Sequence, residues 1–295
     1  MQEPSLEAQF LAILKNNGED DLKLLGNGAQ GYVRKVELGK KHFYAAKAYT
    51  NKDENKKKAT YERESTVTKH ILRECKNYLV CFSGSVVYNH NGVDEYWLLT
   101  EFLDGYVELY KLLFEDKHER KLDMRIYIDL IEGLKVLHDR LKVCHMDIKP
   151  DNILVNLKTN KIKYIDFGLA CIEDKIPCKP GGTPAYLCPE YSKIVTFDDA
   201  KKADLWSLGS VIFTCEYLRT LLDNPDRYFG EKPDSGRDQH IKSALNRFDH
   251  LLFLKRDSYT INLKQLMNMV PANRTLDGLY EKKPSFVQRL FSRPT

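Results

Sequence analysis

Along residues 21–50 apolar and polar positions alternate, broken by a glycine cluster and ending in Tyr44-Ala45-Ala46-Lys47-Ala48-Tyr49. A period of two turns successive side chains to opposite faces, so the stretch predicts a strand, a turn and two further strands paired as hairpins. The chain then becomes charged. Over 51–75 the apolar residues thin to Val67, Ile71 and Leu72 at helical spacing, which predicts a partly exposed helix. Two β-like runs follow at 78–88 and 95–102, and Asp104-Gly105 supplies turn residues for a connection. Beyond it, residues 124–141 set Ile126, Ile128, Leu130, Ile131, Leu134, Val136, Leu137 and Leu141 on one broad apolar face, the pattern of a buried helix. The remainder reads as helices and loops without an internal repeat. A strand-rich front of about a hundred residues and a helical back predict an α+β fold with a cleft where the halves meet.

Composition narrows the class. A chain of 295 residues is about twice the usual length of one domain, which allows two lobes around a shared cleft. Hydrophobic residues at 42% and charged residues at 30%, with 16 Gly and 11 Pro, exclude collagen-like, coiled-coil and largely disordered chains. Lys+Arg 46 against Asp+Glu 42 leaves +4, too small an excess to argue for nucleic-acid binding. The lysines at 40, 41, 52, 56, 57 and 58 lack interleaved aromatic residues for base stacking and read as a solvated face. The first twenty residues show no basic-apolar-small order of a secretory signal, so an intracellular protein, cytoplasmic or nuclear, is expected. The apolar stretch 205–218 is interrupted by Ser207, Thr214 and Glu216 and is shorter than the roughly 18 residues a membrane span needs. Seven cysteines, at 75, 81, 144, 171, 178, 188 and 215, include no Cys-x2-Cys pair, and are expected to be reduced thiols used in packing.

Candidate chemistry begins at Leu25-Gly26-Asn27-Gly28-Ala29-Gln30-Gly31-Tyr32-Val33, where missing side chains let backbone amides approach phosphate oxygens. A hairpin turn alone would also use such glycines. A dinucleotide fingerprint needs a helix directly after the loop, whereas residues 32–38 continue as strand, and no Gly-Lys-Ser/Thr ending is present. Fourteen residues after Val33, Lys47 sits in an apolar run where an unpaired ammonium is costly; Glu64, or Glu62, could neutralise it, unless it is a solvated lysine at a sheet edge. The strongest signal is Val143-Cys144-His145-Met146-Asp147-Ile148-Lys149-Pro150-Asp151-Asn152-Ile153-Leu154-Val155, followed by Tyr164-Ile165-Asp166-Phe167-Gly168.

These motifs, in this order, resemble the catalytic loop, metal-binding turn, Ala-x-Lys strand and glycine-rich loop of the protein kinase family. The resemblance implies a bilobal kinase-like fold: an extension at 1–20, a kinase domain at 21–280 with a β-rich lobe to about 103 and a mainly helical lobe from about 104, and a tail at 281–295. It implies ATP and Mg²⁺, with Mn²⁺ as an alternative, and a protein substrate with a serine or threonine acceptor. Asp147 matches the carboxylate that takes the acceptor's proton, Lys149 the lysine that steadies the γ-phosphate, and Asn152 and Asp166 the metal ligands. Lys47 paired with Glu64 would hold phosphates. Loop residues 25–33 would cover the nucleotide, the Glu101 carbonyl and Leu103 backbone would meet adenine, and Ala45, Val33 and Leu154 would sandwich its ring. Glu108 would take the ribose, with Asp104 as the competing choice. Gly182-Thr183-Pro184-Ala185-Tyr186-Leu187-Cys188-Pro189-Glu190 resembles the peptide-side loop, Asp204-Leu205-Trp206-Ser207-Leu208-Gly209 the helix anchoring the catalytic loop, and Arg274 the buried partner of Glu190. Asp-x-Lys and Gly-Thr-Pro resemble serine/threonine rather than tyrosine kinases, and a monomer is expected.

Departures from the family pattern carry their own expectations. Met146 stands where many family members have the arginine that reads a phosphorylated activation loop, and Thr183 is the only hydroxyl residue in 169–184. Activity without activation-loop phosphorylation is therefore expected. Gln30 occupies the loop tip in place of an aromatic or small residue, Thr68 replaces an apolar side chain one turn after Glu64, and 223–255 looks short and irregular, so substrate identity does not transfer. Two other readings are a catalytically weak scaffold, against which Lys47, Asp147, Asn152 and Asp166 are all retained, and a kinase of a non-protein substrate, which the 182–190 loop disfavours.

Overall fold

The computed structural model describes residues 4–19, 21–39, 41–115, 121–229, 236–256 and 259–282; Lys40 and the tail from 283 lie outside the described residues. Its front is a five-stranded antiparallel sheet, β1 (Lys23–Gly28), β2 (Gly31–Leu38), β3 (His42–Tyr49), β4 (Phe82–His90) and β5 (Val93–Glu101), in spatial order β1-β2-β3-β5-β4. The period of two decides which face each residue serves. Ala46 and Ala48 on β3, with Trp97 and Leu99 on β5, join Val36, Leu38 and Val86 in one cluster; Tyr49, Tyr96 and Leu98, one residue out of phase, join another.

Each face has its own helix. Residues Leu6–Asn17, within the stretch read as an extension, form α1, capped by the Ser5 hydroxyl accepting from the Ala8 amide. Phe10 and Leu14, one turn apart, are buried against the first cluster, and the Phe10 ring meets Trp97 edge-on at 5.3 Å. Burying these two side chains contributes about 3–6 kcal/mol before the cost of ordering the helix. The other face is covered by α2 (Glu54–Ile71), whose N-cap Asp53 accepts from the amides of Asn55 and Lys56. Its buried positions Tyr61, Glu64, Val67, Thr68 and Ile71 follow the helical repeat, and Tyr61 packs on Tyr49 and Tyr96 at 5.6 and 5.0 Å. The Thr68 hydroxyl, at the position expected to be apolar, donates to the Glu64 carbonyl at 2.7 Å and so is satisfied without disturbing the packing. The short α3 (Cys75–Tyr78) follows.

The back half is organised around buried helices. Beyond β6 (Val107–Glu108) and α4 (Leu109–Phe114), α5 (Met124–Lys135) buries its apolar face and closes in a π-turn over Val136–Arg140, where the reading of 124–141 had one unbroken helix. The chain then forms β7 (Val143–Cys144), β8 (Ile153–Asn156), β9 (Lys161–Tyr164) and β10 (Cys171–Ile172), with β6-β8-β9 and β10-β7 as small antiparallel sheets. The longest helix, α6 (Phe197–Tyr217), starts with a capping box between Thr196 and Asp199 and is buried over most of its length. After α7 (Asp226–Phe229), α8 (Arg237–Arg247), β11 (Phe253–Arg256), β12 (Tyr259–Asn262), α9 (Leu263–Leu266) and β13 (Tyr280–Lys282) complete it. A three-stranded sheet, β11-β12-β13, thus stands where helices and loops were expected, and the stretch read as irregular contains the eleven-residue α8. The fold is α+β, with a β-rich front and a mainly helical back as the resemblance implies, and no helix of the described residues is long and apolar enough to cross a membrane.

The cysteine expectation needs correcting. Cys75–Cys81 and Cys171–Cys178 are disulfides, whereas Cys144, Cys188 and Cys215 are buried free thiols. The bonds close loops of six and seven residues, a spacing without the regularity of Cys-x2-Cys, and only the folded turns bring the sulfurs together.

Candidate active site

The sheet, α2 and the small back-half strands converge on one cleft. Lys47 leaves β3 towards α2, and its Nζ lies 2.7 Å from Glu64 Oε2 and 2.9 Å from Asp166 Oδ1. Glu62 pairs instead with Lys58 on the exposed side of the helix. Burial works against the Lys47 charge, but the two carboxylates outweigh it and hold the ammonium above its ordinary range. Burial pushes the Glu64 carboxyl up, opposed by Lys47; it works in the same direction on Asp166, where Lys47 and the Gly168 amide prevail and hold the carboxyl low. A second donor reaches Glu64, the Tyr49 hydroxyl at 2.7 Å, and burial beside that carboxylate pushes the phenol well above its usual range. Tyr49 was missed in the sequence, although two residues after Lys47 on a strand is the same face.

Facing this pair, the loop 145–152 is hung on one buried carboxylate. Asp204 on α6 accepts from the His145 and Met146 amides at 2.7 and 2.9 Å and meets His138 Nε2 at 3.0 Å, so its lone pairs are used without a metal ion. Met146 holds a left-handed φ of 67° and Asp166 one of 61°, so two residues of the site carry backbone strain. This loop presents Asp147, whose Oδ1 accepts from the Thr183 hydroxyl at 2.8 Å. Its Oδ2 lies 3.1 Å from Asn152 Nδ2 and 3.3 Å from Lys149 Nζ. Asn152 Nδ2 also donates to the Asp147 carbonyl, which leaves the amide oxygen as the ligand atom of Asn152. Asp166 meets Lys47 and the Gly168 amide through Oδ1, leaving Oδ2 to bind a cation. Carboxylate and amide oxygens suit a hard divalent cation, so the donor set fits Mg²⁺ or Mn²⁺.

The glycine loop is the β1–β2 hairpin, with Gly26 opposite Val33, Asn27 opposite Tyr32 and Gly28 opposite Gly31; Ala29 and Gln30 form its tip. Gly31, at φ 151°, packs so closely on β3 that a Cβ would meet the Ala48 carbonyl oxygen at 1.8 Å. A Cβ on Gly168 would fall 2.1 Å from Gln30 Oε1, so the tip amide lies on the Asp166-Phe167-Gly168 turn, its oxygen buried and without a hydrogen bond. Leu25 precedes the loop on the same strand. Behind it, Ala45 stands opposite Thr100, and Leu154 opposite Glu108. A Cβ on Gly26 would lie 3.5 Å from Glu108 Oε1, which places Glu108 across the mouth of the cleft with Lys111 at 2.9 Å, whereas Asp104 is exposed. The Glu101 side chain turns inward, accepting from the Cys81 amide and from Lys163 Nζ, and Leu103 follows in the connection, its carbonyl accepting from the Tyr106 amide. Lys163 had no sequence signal. It is buried and donates to the carbonyls of Cys75, Lys76 and Leu79, tying Glu101 at the end of β5 to α3. Arg63 on α2, also missed, donates to the Ala170 carbonyl just past the turn.

On the far side of Thr183, Glu190 receives a two-pronged pair from Arg274, at 2.5 and 3.0 Å, and the Arg274 guanidinium lies over Trp206 at 4.9 Å. The Ser207 hydroxyl donates to the Tyr186 carbonyl, so α6 carries the 182–190 loop as well as the 145–152 loop.

Similarity to known proteins points to one family. A family model described as protein kinase domain matches residues 20–274. The ovarian-specific serine/threonine-protein kinase Lok of Drosophila melanogaster is 30% identical over 204 residues, which cover 65% of this chain and 41% of that protein. Serine/threonine-protein kinase ksp1 of Schizosaccharomyces pombe is 31% identical over 169 residues, 54% of this chain and 34% of its own length. Myosin light chain kinase 2, skeletal/cardiac muscle, of Oryctolagus cuniculus is 34% identical over 122 residues, 39% and 19% of the two chains. The matched region therefore spans less than half of each of these relatives.

Proposed function

This chain belongs to the protein kinase family, and from that premise we propose that it transfers the γ-phosphate of ATP to serine or threonine hydroxyls of a protein substrate. The observation that carries this reading is the Asp147 carboxylate, held on Oδ1 by Thr183 and on Oδ2 by Asn152 and Lys149. Asp147 aims the acceptor hydroxyl and receives its proton as the oxygen bonds to the γ-phosphorus and the bond to the departing ADP oxygen breaks. Lys149 and Lys47 supply positive charge on either side of the transferred group, with Glu64 and Tyr49 fixing Lys47.

Asp166 and Asn152 would hold the divalent cation, which screens the charge of the phosphate oxygens when bound. The buried, unpartnered Gln30 oxygen beside Gly168 supports a polar ligand between loop and turn. Loop residues 25–33 cover the phosphates; Val33, Ala45 and Leu154 enclose the adenine, and the backbone at Glu101 and Leu103 reads its edge. Glu108, facing Gly26, takes the ribose in preference to the exposed Asp104. The serine/threonine kinases among the relatives support the acceptor assignment.

The same reading has the enzyme active without activation-loop phosphorylation, because Met146 is an apolar side chain only 5% exposed and gives a phosphate no cation. The test is transfer of labelled γ-phosphate to a degenerate peptide library by wild type and Asp147→Asn, before and after phosphatase treatment. Labelling of serine and threonine by wild type alone, unchanged by the phosphatase, is expected. Equal labelling by both proteins refutes the mechanism, labelling confined to tyrosine refutes the acceptor, and loss after phosphatase treatment that returns on loop rephosphorylation refutes the regulation.

A further inference from the structure

The segment between the Asp166-Phe167-Gly168 turn and Thr183 is anchored at both ends and crossed by a covalent bond. At its start Cys171 pairs with Cys144 in the β7–β10 ladder, on the strand leading into the catalytic loop, and the preceding Ala170 carbonyl is held by Arg63. At its end Thr183 donates to Asp147. Residues 172–176 form a tight turn, with the Lys175 and Ile176 amides donating to the Ile172 carbonyl. Cys178 is then bonded back to Cys171. Among the described residues, none of 177–182 makes a hydrogen bond or an ion pair, and two of them, Gly181 and Gly182, are glycines. The disulfide is the bond that holds this run against the lobe.

We propose that Cys171–Cys178 is a thiol–disulfide modification site whose oxidised form holds the peptide-side loop ready for substrate and whose reduction releases it; the proposal rests on the reading of 182–190 as that loop. With the bond in place, four residues, 179–182, separate the covalent anchor from Thr183. Without it the anchor retreats to Ile176, which exchanges two backbone hydrogen bonds with Ile172, and six residues, 177–182, intervene. The probability of closing a loop falls as the three-halves power of its length, so the held state becomes about twofold less favourable. Met146 offers no cation that a phosphate could use to restore it.

The reagent is a dithiol. Cys171 is fully buried and Cys178 half-buried, so a thiolate of the dithiol attacks Cys178 Sγ and Cys171 departs as a thiolate. The second thiol then attacks the mixed disulfide, releasing Cys178. Two electrons and two protons pass to the cysteines, and the dithiol is left as a cyclic disulfide. Cys144, across the ladder, is buried, which raises its thiol well above the usual range and keeps it protonated and out of exchange. In a reducing compartment the thiols are the resting form, and an oxidant that accepts two electrons makes the active one.

The experiment compares the full chain oxidised, the full chain treated with dithiothreitol, and Cys178→Ser, which alters the more exposed partner. Peptide KM, ATP affinity, and hydrogen exchange over 173–187 are measured for each. Reduction is expected to raise peptide KM about twofold and speed exchange in 177–187, with ATP affinity unchanged. Cys178→Ser should match the reduced protein in exchange over 177–187, and dithiothreitol, which in this variant opens only Cys75–Cys81, should not change that exchange further. Equal peptide KM and equal exchange in all three forms overturn the proposal, as does a Cys178→Ser protein whose exchange over 177–187 still changes with reductant. If no form phosphorylates any peptide, the kinase reading fails instead, and the exchange data alone decide whether the bond holds the loop.

Discussion

Replacing Thr183 by valine removes one hydroxyl of nearly unchanged volume and asks how much the Asp147 carboxylate depends on it. The Oγ1 to Oδ1 distance of 2.8 Å is a good hydrogen bond, and its acceptor is a carboxylate. Bonds to charged groups contribute about 1.5–3 kcal/mol when buried; Asp147 keeps 12% of its side-chain exposure and Thr183 is only half-buried, which brings the figure to about 1–2 kcal/mol. Asn152 and Lys149 still hold Oδ2 at 3.1 and 3.3 Å, so the carboxylate loosens without leaving the site. With 1.36 kcal/mol to a decade, kcat/KM for peptide phosphorylation is expected to fall about 5–30-fold. Thr183→Ser, which keeps the hydroxyl, should stay within about threefold of wild type by the same allowance for a single small hydrogen-bond adjustment. Steady-state transfer assays at low substrate, with a thermal melt to exclude unfolding, measure both. A valine variant as active as wild type, or a serine variant as impaired as valine, refutes the idea that Thr183 orients Asp147.

Phe10→Ala removes a fully buried ring from under the sheet and should cost about 3–5 kcal/mol, lowering the melting temperature by about 10 °C; a shift under about 2 °C in a thermal scan contradicts the role given to α1. Acid should disable the site through Glu64 first, since burial raises its carboxyl while Asp166 stays low. Glu64 protonates as the pH falls through its raised value and the Lys47 pair loses its charge, whereas the stability from Asp166 persists at that pH and is lost only on further acidification. Tyr49→Phe deletes a donor that favours the ionised Glu64, so the acid limb of the kcat/KM profile should move to higher pH; movement to lower pH contradicts the assignment. Arg274→Met leaves Glu190 without its partner and should cost about 3 kcal/mol, the low end for a broken buried pair because Glu190 retains 22% exposure. In urea unfolding, the double variant with Glu190→Gln should recover part of that loss; no recovery contradicts the pairing.

What the sequence revealed divides along a physical line. The front sheet was legible because β2, β3 and β5 bury different residues on their two faces, and the period of two survives in the composition. The catalytic residues were legible because their chemistry demands fixed residue types at short spacings, as in Asp147, Lys149 and Asn152. The features that escaped depend on distant partners. Lys163 is buried because four acceptors from 75–101 surround it, and nothing beside it in the chain foretells them. The β11-β12-β13 sheet pairs residues from 253 to 282 across a helix, and its strands are three or four residues long, too short for a period to register. The disulfides were misjudged because a count of seven and the lack of a repeated spacing speak to frameworks, not to single loops closed by a local turn.

The position of Met146 links these observations to control. Its backbone, at a φ of 67°, turns the amides of 145 and 146 onto Asp204, and its side chain is buried in the core of the back lobe. An arginine there would have to leave the core to meet a phosphate, exchanging apolar burial for an exposed charge. With methionine that exchange is closed, so the order of 169–190 rests on other connections, among them the Thr183–Asp147 hydrogen bond, the Glu190–Arg274 pair and the Cys171–Cys178 bond. A dithiol breaks neither of the first two directly; the third is the covalent bond it opens. Salt should therefore act weakly on activity through the buried Arg274, phosphatase not at all, and a dithiol most. That order of sensitivities is the reverse of what an arginine at 146 would impose, where removing phosphate would release the segment and a reductant would leave it in place.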